Sequence, residues 1–396
     1  KKLMIEGNNS NFSKDDYRSK NYSGNWTKYW LQQADKSAIA RKKSIHEAMW
    51  ELCDEKAEHM PKSVFKFYPF TPNSLKCLES NKVYLNTPEN FNDPYDCFIC
   101  SDQETFAKTF FIEYIEKNDY IQQGIITEDE FERIKSSYPD PPGEFIPSHY
   151  LKTFESIIRS ILLLDDRGFK LDDIRYNAHK EYQNTITSIR NNKIRVSSFS
   201  SLSDDEFCRS TEMWGHYAAS HTGFCVEYDL ESKLSNAKID SLVRGGMMPC
   251  KYSKKPIFIS SSLFWKYYNG NRMTDNQRIQ FEKSILLSFL NKSRSWSYEK
   301  EWRLIVPDDA CKMFDNMIDF FPIKAIYLGV KMSSDNREYF YDFAKRKNIP
   351  VMDMRCGTDA YELEAVAVDV DKYYDWKNFI RQGTINKSKY TFLWNV

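Results

Sequence analysis

Net charge is the first thing this sequence lacks: Lys+Arg and Asp+Glu both total 56 in 396 residues. No global basic excess advertises a nucleic-acid partner, although a local patch stays open. Long hydrophobic runs are missing too. None exceeds four residues, Ile161-Leu162-Leu163-Leu164 among them, far short of the ~20 a membrane-spanning helix needs. No signal-peptide pattern opens the chain, so the expectation is a soluble, cytoplasmic protein with no membrane partner. Neither G-x-G-x-x-G nor G-x-x-x-x-G-K-[ST] occurs, which sets aside Rossmann and P-loop nucleotide sites. Nine cysteines are scattered along the chain, and an odd count argues against a complete disulfide framework. Only Cys97-Phe98-Ile99-Cys100 is closely spaced; without a second pair or a nearby His it is weak grounds for zinc. No repeat is found.

What is present is aromatic. Phe, Trp and Tyr make up 15% of the residues, which fits a β-containing globular protein better than a disordered one. The length allows a substantial core and implies two domains or one enlarged domain. Residues 1–62 read as an arm rich in Asn, Ser, Lys and Asp followed by a helix over 35–59 that Pro61 ends. Residues 63–356 read as an α+β catalytic-like domain with a helical insertion at about 103–190, and 357–396 as a C-terminal extension. Within the domain, short strand patterns at 64–68, 194–199, 224–228 and 299–306 are separated by long helical stretches, with a Gly-Gly turn at Gly245-Gly246. The expectation is that these four strands share one bent or split mixed β-sheet.

The stretch around which the chain is organised is Ser297-Tyr298-Glu299-Lys300-Glu301-Trp302-Arg303-Leu304-Ile305-Val306. Read as one strand, it puts Trp302 and Leu304 on a buried face and Glu299, Glu301 and Arg303 on the other. Two carboxylates at i and i+2 lie about 6.5–7 Å apart along a strand, close enough to act on one molecule and to perturb each other's ionisation. A solvated Glu301–Arg303 pair is the competing explanation. Three other stretches keep this one company. The loop from Asn86 to Asp96 is dense in turn formers yet carries Phe91 and Tyr95, as a ligand rim would. Ser197, Ser198, Ser200 and Ser201 crowd a strand end around Phe199, where serine is a poor strand former. Glu212 to Gly223 reads as a short helix carrying Trp214, His216 and Tyr217 and stopped by Gly223. His216 and His221 have no metal-ligand partner at suitable spacing.

Taken in order, Lys66-Phe67-Tyr68, Asn92-Asp93-Pro94-Tyr95-Asp96, Ser198-Phe199-Ser200, Met213-Trp214-Gly215-His216-Tyr217-Ala218, His221-Thr222-Gly223-Phe224 and Tyr298-Glu299-Lys300-Glu301-Trp302-Arg303 resemble the signature of a bacterial family, domain-of-unknown-function family 2971, over about 63–356. The family name supplies no activity. A looser resemblance does: a polar first strand, a Ser-x-Ser strand and a later Glu-x-Glu are similar to the layout of ADP-ribosyltransferases of the Arg–Ser–Glu kind, and by association with such families the expectation is a bacterial toxin or antiphage-defence effector. That resemblance implies an NAD-consuming enzyme with NAD as substrate, held in the cleft of a split sheet, and a macromolecular acceptor that is protein or nucleic acid. An inhibitory or complex-forming protein partner goes with the same reading. By the same resemblance Glu301 binds the nicotinamide ribose and stabilises its developing positive charge, Glu299 orients the attacking group, and Ser198 and Ser200 match the family's serine hydroxyls. Tyr68 and Phe199 would offer faces to the nicotinamide, with Lys66, Asn92, Asp93, Trp214, His216, Tyr217 and Arg303 as further substrate contacts. The sequence departs from that layout at two points: Lys66 stands where the family has an Arg that contacts the phosphates, and Phe199 where it has Thr. Two other readings stand beside this one. A metal-dependent nucleic-acid-processing enzyme would use Asp93, Asp96, Glu299 and Glu301 as oxygen ligands, and a non-catalytic ligand-sensing module would keep the sheet alone.

Overall fold

The computed structural model describes residues 26–136, 158–159, 162 and 171–381. Residues 1–25 of the arm expected over about 1–28, part of the helical insertion and the last residues of the C-terminal extension lie outside the described residues. Twelve strands are present among those described. They are β1 (Ser63–Tyr68), β2 (Lys82–Tyr84), β3 (Ile194–Ser200), β4 (Phe224–Asp229), β5 (Met247–Pro249) and β6 (Lys251–Ser253). Then follow β7 (Asn291–Ser293), β8 (Glu301–Pro307), β9 (Met317–Asp319), β10 (Ile323–Leu328), β11 (Val351–Cys356) and β12 (Leu363–Ala367). Eight of them make one sheet in the order β12-β11-β10-β4-β1-β3-β8-β5, while β2 pairs with β9 and β6 with β7. The sheet is mixed: β10 and β11 run parallel, and the pairs flanking β1, β4 and β8 are antiparallel. The fold is therefore α+β, and the four expected strands are neighbours in it, in the order β4-β1-β3-β8. β12 joins the sheet beyond residue 356 as its edge strand.

The middle of this sheet is unevenly zipped. β1 pairs with β4 from Ser63↔Asp229 to Tyr68↔Phe224, and β3 with β8 from Ile194↔Pro307 to Ser200↔Glu301. Between β1 and β3 only Phe65↔Ser200 is paired. Beyond that point the two strands part, and their freed backbone groups find other partners, as buried polar groups must. Lys66 Nζ donates to the Ser198 carbonyl at 2.9 Å and to Ser197 Oγ at 3.0 Å. Asn86 takes up Val196, exchanging N–H···O bonds of 2.8 and 2.9 Å with it. The polar loop that follows Asn86 is thus anchored inside the opening.

Both faces of β8 are covered. Trp302, Leu304 and Val306 pack with Tyr68, Phe199 and Phe320 on one side; Ile305 packs with Val196 and the N-terminal helices on the other. Those helices are not one element over 35–59. Lys42 takes a left-handed φ of 54°, and Ser44 caps a new helix with a Glu47 capping box. The elements are Trp26–Arg41, Ile45–Glu51 and Cys53–Lys56. Among the described residues no helix is long and apolar enough to cross a membrane.

Two local expectations are corrected. The strand expected over 299–306 starts at Glu301, because Arg294–Glu299 coils into a 3-10 turn and Lys300 has a left-handed φ of 46°. The two-residue alternation breaks there, so Glu299 and Glu301 are not neighbours on one strand face. Gly245-Gly246, expected as a turn, ends the helix Ala237–Gly246. Glycine is needed there for close approach: a Cβ on Gly245 would lie 2.7 Å from Trp50 Cα, and one on Gly246 2.6 Å from the Ile305 carbonyl oxygen. Backbone atoms cannot step aside cheaply, so Gly246→Ala should lower stability by about 1–3 kcal/mol, the usual cost of overpacking. A urea midpoint equal to wild type would refute that close approach.

Candidate functional site

The parting of β1 and β3 opens a cleft of about 410 Å³. Among the residues expected at a site, Lys66, Tyr68, Asn92, Ser198, Phe199, Ser200, His216, Tyr217, Glu299 and Glu301 all line it, together with Asp96 and Lys292. Lys66 stands at the point of divergence with its ammonium 4.9 Å from the Phe199 ring centre and 5.5 Å from that of Tyr68. Burial lowers its pKa to about 8. Tyr68 and Phe199 also serve the core: Tyr68 stacks on Phe224, its hydroxyl 3.3 Å from that of Tyr228, and Phe199 stacks on Phe320 at 4.6 Å. His216 is exposed at the mouth, its ring 6.0 Å from Trp296.

Three expected residues do not line the cleft. Asp93 is a turn residue whose Oδ1 accepts the Tyr95 N–H at 2.9 Å, the ordinary use of Asp in a loop. Trp214 is wholly buried, edge-on to Phe67, with its indole N–H unpartnered among the described residues. Arg303 is wholly buried as well, beneath the carboxylates that face the cleft.

The floor is a buried ionic cluster. Arg303 Nε donates to Glu301 Oε1 at 2.8 Å and Nη2 to Glu301 Oε2 at 3.1 Å. The same Nη2 reaches the Asp96 carboxylate at 2.7 Å, and Nη1 donates to the Phe289 carbonyl at 2.6 Å. Lys292, on β7, lies between the two glutamates, with Nζ 2.5 Å from Glu299 Oε2, 3.0 Å from Glu301 Oε2 and 3.6 Å from Asp96. Tyr217 donates its hydroxyl proton to Glu299 Oε1 at 2.6 Å. Tyr252 Oη accepts the Glu301 N–H at 2.8 Å. The glutamates meet because the turn over Arg294–Glu299 folds Glu299 back onto Lys292, not because they alternate along a strand.

The cluster holds three carboxylates, of Asp96, Glu299 and Glu301, against two cations, Lys292 and Arg303, so fully ionised it carries one surplus negative charge. An uncompensated buried charge is costly, and the surplus vanishes when one carboxyl binds a proton. Glu301 touches both cations and is the poorest candidate: burial opposes its charge, but Arg303 and Lys292 hold its pKa well below the usual carboxylate range. Glu299 touches Lys292 alone. Burial and the Glu301 charge push it up to about 7 against the pull of Lys292 and Tyr217. A pair driven apart in this way divides the work of a fixed anion and a proton-exchanging group.

The divergence has a sign in stability. The folded protein holds a proton on Glu299 up to about pH 7, whereas the unfolded chain releases it near 4.5. Stability present below 4.5 is therefore lost as pH rises through that window, by at most ~1.4 kcal/mol per pH unit. Urea titrations from pH 5 to 8 should show wild type losing stability relative to Glu299→Gln. Parallel curves would remove Glu299 as the titrating group.

Lys292 and Tyr252 were not legible as site residues. Lys292 falls near the end of the amphipathic helix that the spacing of Ile279, Phe281, Ile285, Leu286, Phe289 and Leu290 predicts over 276–293, whereas the helix ends at Phe289. Asp96 was singled out only as a possible oxygen ligand for a metal, not as a partner of Arg303. No group of three or more His, Cys, Asp or Glu among the described residues is arranged to hold a metal ion, because Lys292 and Arg303 fill the space between the carboxylates.

No curated protein and no solved structure matches the chain. One family does, over residues 213–304, a narrower span than the 63–356 of the sequence resemblance. It takes in Tyr217, Lys292, Glu299, Glu301 and Arg303 and leaves out Lys66, Asp96 and the serines of β3. Over that segment, which is less than half of its length, the chain is similar to the family described as protein of unknown function (DUF2971).

Proposed function

We propose that the chain is an NAD-consuming enzyme of ADP-ribosyltransferase-like type, transferring ADP-ribose to a macromolecular acceptor or to water. The observation that carries this is the cleft where β1 and β3 part, floored by two glutamates in opposite electrostatic states. Its volume lies within the ~300–1,000 Å³ common for small-molecule sites. The residues present fit NAD. Lys66 supplies a cation for the dinucleotide phosphates, as a point charge without the fork an arginine would bring. Tyr68 and Phe199 line an apolar wall for the nicotinamide. Glu301, held ionised by Lys292 and Arg303, is a fixed anion for the positive charge that develops on the ribose as nicotinamide leaves. Glu299 keeps lone pairs free of Lys292 and Tyr217 and can take the proton of the attacking hydroxyl or water. A metal-dependent reading has less support, since a divalent ion would have to displace two buried cations.

The test is incubation of the purified full chain with NAD, with and without a cell extract as acceptor source. Released nicotinamide is quantified and ADP-ribose adducts are sought by mass spectrometry. Nicotinamide release that depends on Glu299 supports the proposal; none above background between pH 6 and 9, with or without extract, overturns it.

A further inference from the structure

Lys292 has a position that electrostatic compensation of the cluster does not by itself explain. Arg303 already binds Glu301 and Asp96 from below, yet Lys292 reaches up from β7 to bridge Glu301 to Glu299. Its stem is fixed: β7 pairs in parallel with β6, setting Lys292 against Tyr252, and its ammonium lies 5.0 Å from the Trp296 ring centre. We propose that Lys292 is a positioning residue that tunes the cluster's proton: while Arg303 keeps Glu301 the permanent anion, Lys292 bridges Glu301 to Glu299 and keeps Glu299 a carboxyl that both gains and loses the proton. The inference deepens the reading above and rests on it only for the use made of that proton in turnover.

The charged and titratable groups that face Glu299 come from every side. Lys292 is on β7; Glu301 and Arg303 are on β8; Asp96 is in the loop at the rim. The Tyr217 hydroxyl comes from the helix Thr211–Tyr217, and Tyr252 and Tyr298 feel the Glu299 charge from β6 and from the turn before β8. Lys66 feels Glu301 from across the split. Of these, only Lys292 touches both glutamates. Without it three carboxylates face Arg303 alone, and the cluster demands a second proton before it is neutral. Glu299, left with a tyrosine and no cation, would then hold its proton to higher pH.

The experiment reads the proton directly and without NAD. Protein labelled with ¹³C at the glutamate carboxyl is titrated by NMR, and the Glu299 signal is assigned by its loss in Glu299→Gln. The expected result is a near-neutral midpoint in wild type, raised by about one pH unit or more in Lys292→Met, and restored towards wild type in Lys292→Arg. A midpoint in Lys292→Met equal to wild type overturns the proposal. Should Lys292→Met fail to fold, Lys292→Met with Glu299→Gln decides, because it removes one cation and one carboxylate together. That double variant should fold and melt well above the single one, a coupling that only a shared charge balance produces. If the double variant also fails to fold, Lys292 is a packing strut and the proposal falls. Because neither readout uses substrate, a chain that ignores NAD yet shows the shifted midpoint would sink the proposed reaction and leave this inference standing.

Discussion

Glu299→Gln is expected to lower nicotinamide release from NAD by about 10²–10³-fold, the usual cost of removing one fixed electrostatic contact at a reacting centre. Glutamine keeps the size of the side chain, and its carbonyl oxygen can still accept from Lys292 while its amide N–H donates to the Tyr217 hydroxyl oxygen, so the cluster stays together. It also matches the neutral state that Glu299 adopts below about pH 7, and the variant should melt at or above the wild-type temperature at pH 8. Loss of rate is thereby separated from loss of fold. In wild type the rate should rise with pH through about 7, as the carboxyl becomes able to take a proton. Retained release in Glu299→Gln, within a few-fold of wild type, would mean that Glu299 is a structural member of the cluster only. Glu301→Gln is the less informative substitution. Glu301 is buried between Arg303 and Lys292, so Glu301→Gln weakens the carboxylate contact that joins the two cations and disturbs the fold along with any activity.

Arg303→Met is expected to be the most damaging single change to the fold, at roughly 3–5 kcal/mol, the cost of removing one partner from a buried ion pair. Arg303 is completely inaccessible, and its guanidinium serves Glu301, Asp96, the Phe289 carbonyl and Cys97 Sγ at once. Methionine fills much of the volume but leaves Asp96 and Glu301 with Lys292 as their only shared cation. Adding Asp96→Asn should recover part of the loss by removing a stranded anion, which a purely steric defect would not allow. Urea unfolding of the two variants at pH 7.5 measures this. A single variant within about 1 kcal/mol of wild type would show that the cluster is solvated and screened in the manner of a surface pair.

Much of this molecule could be read from its residues in order. Alternating apolar residues at 64–68, 194–199 and 224–228 announced strands, because strand periodicity is local and the buried face selects for it. The crowding of Ser198, Phe199 and Ser200, the Asn92–Asp96 loop and the Tyr217 helix announced polar groups where a simple core would not put them, and the structure brings most of these to one cleft. Sequence alone also singled out the Glu299–Arg303 stretch. It misjudged the geometry, because a left-handed Lys300 breaks the alternation and no residue pattern requires that of a lysine. Tertiary structure decided the rest. Whether β1 and β3 zip along their length or part after Phe65↔Ser200 depends on Lys66 and Asn86 arriving from elsewhere to satisfy the freed backbone. Asp93 and Asp96 look equivalent in the loop, but one closes a turn and the other meets a guanidinium 207 residues away. Lys292 is one of many lysines until folding buries it between two glutamates. A side chain's ionisation is set by its neighbours and its distance from water, and both come into existence only when the chain closes around it.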